Sequence, residues 1–352
     1  MPRKKSSRAR ALRPKNPKFP LRRYRWLLLA GALLLGLWTV GQFWAPLRTK
    51  TPLKWKIPFS PEKRSLYADS ARMVLPVWTV WHWLTYLTPP KAGYYELAPH
   101  VRAYQAYQRL RRGLQTPMRV YFPPQRSPFH LAAFWGRTLG YDSLAWLTAF
   151  LNYPWESYGL NSDTWLVLFI PDVYELYWTT PPATLIERMQ QAYEHFWTPE
   201  RRQKAQAIGL SPIEVSVLAS IIEWETSRPS EKPLIASVYL NRLRLGMPLQ
   251  ADPTVIYATR DFLTQRVTSR HLQADSPFNT YQRRGLPPGP VGVPSPQSID
   301  AVLNYTPSSY LYFCARPDGS GYHDFSVSYT EHQQKARAYQ RALTRWLAQK
   351  KR

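Results

Sequence analysis

Hydrophobic positions along this chain change period from block to block, and each change marks an element. Residues 26–46 (WLLLAGALLLGLWTVGQFWAP) carry no charge over about 20 mostly apolar positions, long enough to span a hydrocarbon core. Residues 47–91 follow no period and hold prolines at 52, 58, 61, 76, 89 and 90 with a Trp-rich stretch at 77–83, so they read as a tether. GYYEL (93–97) is extended, a helical run containing Leu110 follows, MRVYFPP (118–124) is strand-like and residues 128–139 are helical. Residues 166–176 (LVLFIPDVYEL) predict a buried strand reaching Tyr174, and residues 183–196 an amphipathic helix. The strongest local signal begins at Ser211. Ser211 as N-cap, Pro212 at the first helical position and Glu214 three residues on make a capping box. Leu218, Ile221 and Ile222 then recur at helical spacing.

Glu223 and Glu225 at the end of that helix cannot share a face. At about 100° per residue, Glu225 lies about 20° from Leu218 and continues the apolar stripe, whereas Glu223 lies about 140° away with Ser216 and Ser220. A carboxyl on the apolar stripe loses hydration, so its pKa rises toward the range of a general acid. The plainer reading is a helix-end carboxylate held by an arginine. A second helix is expected over 233–245, with Leu234, Val238, Leu240 and the basic Arg242 and Arg244, ended by Gly246. Gln250, Asp252 and Thr254 are expected on a non-helical segment before Tyr257, either as turn chemistry or as the lining of a ligand groove. Residues 279–294 (NTYQRRGLPPGPVGVP) hold too many Pro and Gly for regular structure and suit the rigid wall of a cleft. A helix over 298–304, a strand over 310–315 and a last helix reaching 351 complete the pattern. The fold class expected is α+β.

Charge and composition narrow the function classes. With 15 Trp, 23 Tyr and 34 Pro against 15 Gly in 352 residues, the chain can bury a core and is not a disordered protein. Residues 1–25 carry eleven Lys/Arg and no acid, which with the apolar run places the N-terminus in the cytoplasm and all beyond residue 46 outside it. A cleaved signal peptide is opposed by the length of the run and the lack of an A-x-A-like site. Of the net +25, eleven charges sit in the tail, leaving +14 beyond it. No nucleic-acid-binding motif accompanies that charge, which suits anionic lipid or acidic wall polymers instead. Cys314 stands alone, so no intramolecular disulfide forms, and no His pair has metal spacing; neither metal nor cofactor is expected.

LASIIEWET (218–226) and NRLRLGMPLQADPTVIYA (241–258) resemble the YceG-like family of membrane-bound endolytic murein transglycosylases, which carries L-A-S-I-[IV]-E-x-E-T and then N-R-L-x-x-G-M-x-L-Q-[TS]-D-P-T-V-I-Y. Gly285 to Pro290 match the family's G-L-P-P-G-P, His323 and Phe325 its H-x-F, and Glu331 and His332 its closing E-H. The resemblance is dense over 218–332 and sparse over 47–200. Departures are Trp224 where Lys is common, Ala251 before Asp252, Phe278 for an aromatic of the Y-N-T-Y block, and Ser295 for a glycine. The resemblance implies a catalytic domain over 201–352 with Glu225 as the single acid, and a small LysM-like α/β module with a connecting region over 92–200. It implies a groove to which Gln250, Asp252, Thr254, Tyr257, Asn279, Thr280, Tyr281, Pro288 and Gly289 contribute. The substrate implied is peptidoglycan, cleaved between N-acetylmuramic acid and N-acetylglucosamine with formation of a 1,6-anhydro end, on nascent strands beside the synthases. A muramidase using Glu225 with Asp252, or a non-catalytic wall-binding protein on a membrane anchor, are the competing expectations.

Overall fold

A computed structural model describes residues 21–46, 50–60, 90–264 and 266–350. The basic tail up to residue 20 and the Trp-rich stretch at 77–83 lie outside them. The chain is mixed α+β and divides into two compact units, residues 1–91 with 95–114, and residues 92–94 with 115–352.

In the first unit, α1 (Leu21–Trp44) is, among the described residues, the one helix long and apolar enough to cross a membrane. Its leucines stand open, Leu27, Leu28, Leu33 and Leu34 being at least 65 % exposed, as side chains that face lipid would be. The segment read as a tether contains a strand, β1 (Leu53–Ile57), paired with β2 (Gly93–Leu97). LKWKI alternates lysines outward with Leu53, Trp55 and Ile57 inward, a period-2 pattern too short to stand out among the prolines around it. With α2 (Ala103–Arg112) these strands bury Ile57, Tyr95, Leu97, Ala106, Tyr107 and Leu110.

The strand–helix–strand run expected from residue 92 does not close on itself. β3 (Met118–Tyr121) pairs antiparallel with β4 (Val173–Leu176), Val120 opposite Tyr174, instead of with β2. Between them, α3 (Pro128–Thr138) and α4 (Ser143–Leu151) are capped by Ser127 and Asp142, whose side chains accept from His130 N and Ala145 N. They enclose an aromatic core of Phe122, Trp135, Trp146, Phe150, Trp165 and Phe169. The strand expected over 166–176 is only its last third. Trp165–Leu168 is a 3-10 turn, because four successive side chains are buried there and a strand would send alternate ones outward.

α5 (Pro182–Phe196) and α6 (Pro199–Ala207) lead into α7 (Pro212–Glu225), the centre of the second core. Its N-terminus has the expected box: Ser211 Oγ accepts from Glu214 N at 3.2 Å and Glu214 Oε2 from Ser211 N at 2.7 Å, worth about 1 kcal/mol. Every residue from Val215 to Ile222 is buried, so the face carrying Ser216 and Ser220 is no solvent face. Small hydroxyls can turn inward: Ser216 Oγ donates to Pro212 O, while Ser220 Oγ donates to Val217 O and accepts from Val291 N at 2.9 Å. That last bond ties the helix to the Pro/Gly loop. α8 (Lys232–Arg244) ends where Gly246 adopts φ 63° and Met247 N donates back to Arg242 O. After the short α9 (Asp252–Thr259), α10 (Pro296–Leu303) packs on α7 and α8, and the hairpin β5 (Tyr312–Ala315) with β6 (His323–Ser326) precedes α11 (Tyr329–Lys350).

Residues 279–294 form no helix or strand and run close against their neighbours. A Cβ built on Gly289 would stand 1.9 Å from the carbonyl oxygen of Asp163, closer than any side chain fits. Gly289→Ala is therefore expected to push the loop off its support and lower stability by about 1–3 kcal/mol, measured as a drop in thermal unfolding midpoint with far-UV circular dichroism unchanged.

Candidate active site

Glu225 is the last residue of α7, and Thr226 beyond it is extended (φ −141°), so the helix delivers the carboxyl at its very end. Tyr239, on α8, donates its hydroxyl to Glu225 Oε1 at 2.6 Å. Oε2 has no protein partner among the described residues. Protein atoms surround the carboxyl closely although the residue keeps some surface. Burial pushes its pKa up to about 8, with the Asp252 charge adding to the rise, while the Tyr239 hydrogen bond and the Arg242 charge oppose it.

Glu223, two residues earlier, has the opposite fate. Burial alone would raise it, but the hydroxyls of Ser295 and Ser298 donate to its Oε2 and Lys232 Nζ lies 3.0 Å away, and together these hold its carboxyl below the usual glutamate range. Lys232 Nζ also donates to Ser298 Oγ at 2.8 Å, so α7, α8 and α10 meet on one charged knot. Two carboxylates on one helix end thus differ in protonation at neutral pH because their surroundings differ, the arrangement that separates an acid from a fixed charge.

Glu225 and Asp252 stand together on the wall shared by two cavities. One, of about 330 Å³, is lined also by Arg126, Trp224, Ile256, Phe262, Val291 and His323. The other, of about 300 Å³, is lined by Tyr239, Arg242, Gln250, Tyr281, Phe313 and His332. Asp252 is not on an irregular segment as expected: it opens α9. Asp-Pro starts a helix as readily as a turn, since Pro suits the first turn and an acid there favours the helix dipole. Tyr281 Oη donates to Asp252 Oδ1 at 2.6 Å and bridges the Pro/Gly loop to α9. Gln250 sits between the two helices at φ 53°, a left-handed conformation that costs a residue with a Cβ about 1 kcal/mol or more. Its amide N–H donates to Thr280 O and Arg242 Nη1 reaches Leu249 O at 2.8 Å, which together hold that bend.

The remaining sequence candidates fall into three groups. Thr254, Asn279 and Thr280 are at most 1 % exposed and do not reach the groove. Thr254 and Thr280 share a hydroxyl–hydroxyl bond of 2.8 Å, and Asn279 Nδ2 donates to Leu272 O and Ala274 O, so these three brace the segments that carry Gln250 and Tyr281. Tyr257 packs on Phe278 and lines an adjoining cavity of about 330 Å³ with Phe129, Asp163 and Phe262. Pro288 is exposed, Gly289 is buried on Asp163, and neither lines the cavities at Glu225. Tyr239, the direct partner of Glu225, escaped sequence reasoning because nothing in a 14-residue separation across two helices signals contact. Arg126 escaped it too; its guanidinium lies 4.4 Å from the Trp224 ring centroid, giving the tryptophan that departs from the family pattern a cation–π partner on the cavity wall.

The scaffold is mixed α+β, and its buried helix α7 ends on one desolvated glutamate at the wall of two cavities. Residues 67–338 match the YceG-like family, and the chain belongs to that family. It is 44 % identical over 102 residues to an endolytic murein transglycosylase of Bacillus subtilis (strain 168), a stretch covering 29 % of this chain and 28 % of that protein. It is 39 % identical over 107 residues to an endolytic murein transglycosylase of Streptococcus pneumoniae serotype 2 (strain D39), 29 % of this chain and 19 % of that protein. The chain thus matches less than a third of the length of these curated relatives. The crystal structure of a protein from Listeria monocytogenes described as yceG-like superposes with a TM-score of 0.56 and 25 % identity, over 81 % of this chain and 99 % of that one.

The raised pKa of Glu225 has a consequence for stability. A carboxyl that titrates higher folded than unfolded contributes stability in full below the unfolded value, and that contribution is lost as pH rises toward about 8. Glu225→Gln does not titrate, so its melting temperature relative to wild type is expected to climb between about pH 5 and pH 8 and then level off; thermal melts across that range would measure it.

Proposed function

We propose that this chain is a membrane-anchored endolytic lytic transglycosylase that cleaves peptidoglycan between N-acetylmuramic acid and N-acetylglucosamine. The observation that carries the reading is a single glutamate, Glu225, kept protonated near neutral pH by burial and steadied by Tyr239 at the wall of a groove. Because Tyr239 occupies Oε1, Oε2 is the oxygen free to hold the proton that faces the sugar. Glu225 gives that proton to the glycosidic oxygen as its bond to muramyl C1 breaks. The carboxylate left behind, with a conjugate acid titrating at about 8, then takes the proton of the C6 hydroxyl while O6 bonds to C1. No water is consumed, and Glu225 ends as it began. Relatives named endolytic murein transglycosylases support the same reaction class.

Asp252, which lines both cavities, is the one group that supports a hydrolytic alternative, as a nucleophile or base beside Glu225. Its Oδ1 is already engaged by Tyr281, which fits a role in shaping the groove better. The helix α1 behind a basic tail suits a single pass of the cytoplasmic membrane, N-terminus inside, with the catalytic part outside. Tethered so, the enzyme reaches glycan close to the membrane, where synthases extend it, and would end those strands. The unit around β1, β2 and α2 is the part we assign to the family's small LysM-like module.

Glu225→Gln should lower turnover on purified glycan by about 10²–10⁴-fold, toward the larger figure because one residue makes both proton transfers. Wild type should release muropeptides ending in 1,6-anhydro-muramic acid, one water lighter than hydrolysis products by mass spectrometry, and Asp252→Asn should slow release without changing that product. Reducing ends that vanish with Asp252→Asn would establish the muramidase instead, and an inactive Glu223→Gln beside an active Glu225→Gln would remove Glu225 from the mechanism. For topology, protease added outside the cytoplasmic membrane is expected to digest the chain beyond residue 46 and to spare the basic tail; soluble cleaved protein as the main species would contradict the anchor.

A further inference from the structure

Glu231 lies in the 3-10 turn Pro229–Glu231 between α7 and α8, and the mechanism above makes no use of it. Its side chain is only 8 % exposed, yet among the described residues it makes no ion pair with a lysine or arginine. Its two oxygens are both committed to one residue of the hairpin. Oε1 accepts from the backbone N–H of His323 at 2.8 Å, and Oε2 accepts from His323 Nδ1 at 3.0 Å, with Thr226 Oγ1 adding a longer bond of 3.4 Å. Anchoring the hairpin needs only the backbone bond; the second oxygen fixes the ring. A carboxylate has no hydrogen to give, so the shared proton sits on Nδ1. Phe313 holds the ring edge-on from another side, with centroids 5.3 Å apart at 86°.

A ring held so has one nitrogen left. Nε2 has no protein partner among the described residues, and His323 lines the same 330 Å³ cavity as Glu225, Asp252 and Trp224. We infer that Glu231 and His323 form an orienting pair in which the buried carboxylate fixes the Nδ1–H tautomer and presents Nε2 as a hydrogen-bond acceptor to an O–H or N–H of a saccharide bound beside Glu225. His323 is then a substrate-contacting residue that sets specificity, and Glu231 a positioning residue acting through it. An acceptor fixed in this way on a cavity wall discriminates against sugars that lack the matching donor, since desolvating it without one leaves a polar group unpaired. The inference rests on the glycan-cleaving reading above.

The experiment uses the full chain in detergent micelles, purified glycan strands and His ring ¹⁵N labelling. His323→Ala is expected to lower kcat/KM about 10–100-fold, mainly through KM, with the 1,6-anhydro product retained, the size of one lost hydrogen bond. His323→Gln, whose amide oxygen can accept, should recover part of that loss. Glu231→Gln can keep the backbone bond through its oxygen while its amide donates to Nδ1, which turns the ring to the Nε2–H form. The ¹⁵N shifts of His323, assigned by their loss in His323→Gln, should show Nδ1–H in wild type and Nε2–H in Glu231→Gln, with kcat/KM falling about as far as in His323→Ala. A His323→Ala variant with wild-type kcat/KM overturns the inference, as does a wild-type ring protonated on Nε2 or a Glu231→Gln that leaves the tautomer unchanged. If Glu231→Gln does not fold, the wild-type tautomer and the two His323 variants decide the question. If wild type cleaves no glycan, the function reading fails by itself; movement of the His323 Nε2 signal on adding glycan would still support the pair, and its absence would reject it.

Discussion

A carboxyl group that stays protonated near pH 7 has to be kept from water, and most of the second unit serves that condition at Glu225. Burial drives the pKa upward, and a single short bond from Tyr239 gives the carboxyl an orientation without the positive charge that would pull the pKa back down. Arg242 is near enough to oppose the rise, but its guanidinium is occupied elsewhere, donating to Leu311 O, Leu249 O and Pro248 O. The arginine that a plain ion-pair reading would have set against Glu225 is instead a clamp on the loop that carries Gln250. This separation of duties is what leaves the acid an acid.

Keeping one end of α7 dry requires that the rest of the helix be held on all sides. Apolar packing does this on one face through Leu218, Ile221 and Ile222. On the opposite face the contacts are polar but equally buried: Ser220 receives the loop at Val291, and Glu223 gathers Ser295, Ser298 and Lys232. A charge so enclosed is costly unless every partner is in place, so this seam acts as a register pin more than as a source of stability. It sets where the Pro/Gly loop runs, and that loop brings Tyr281 to Asp252. Small residues make the close approach possible, since Gly292 passes against Gln125 O and the Trp224 ring where a Cβ would collide with both.

Legibility followed the distance over which each cause acts. The capping box at Ser211, the break at Gly246 and the amphipathic periods of α5 and α7 are local, and the chain displays them plainly. Helical angle alone separated Glu225 from Glu223, and that separation became a difference in environment once neighbours arrived. The same angular argument set Ser216 and Ser220 on one side with Glu223, and that side is polar yet buried, because a helix wheel shows which residues share a side but not what covers it. The expected strand over 166–176 is cut to its last third for a related reason: a short apolar run is compatible with any element buried all round, and the aromatic core around Trp165 chose a 3-10 turn.

Periodicity, caps and the uncharged run behind a basic tail were sufficient for the α+β class and the candidate membrane helix, and for placing Glu225 and Glu223 on different faces, since each depends on residues within one or two turns of one another. Only the packed chain decided that Tyr239 is the partner of that glutamate, that Thr254, Asn279 and Thr280 brace the groove from beneath instead of lining it, and that Glu231 turns the His323 ring toward the same cavity. The Tyr239 and His323 contacts join residues 14 and 92 positions apart in the chain. Spacing along a sequence has no bearing on them, because their geometry exists only after burial has brought separate helices and loops onto one core.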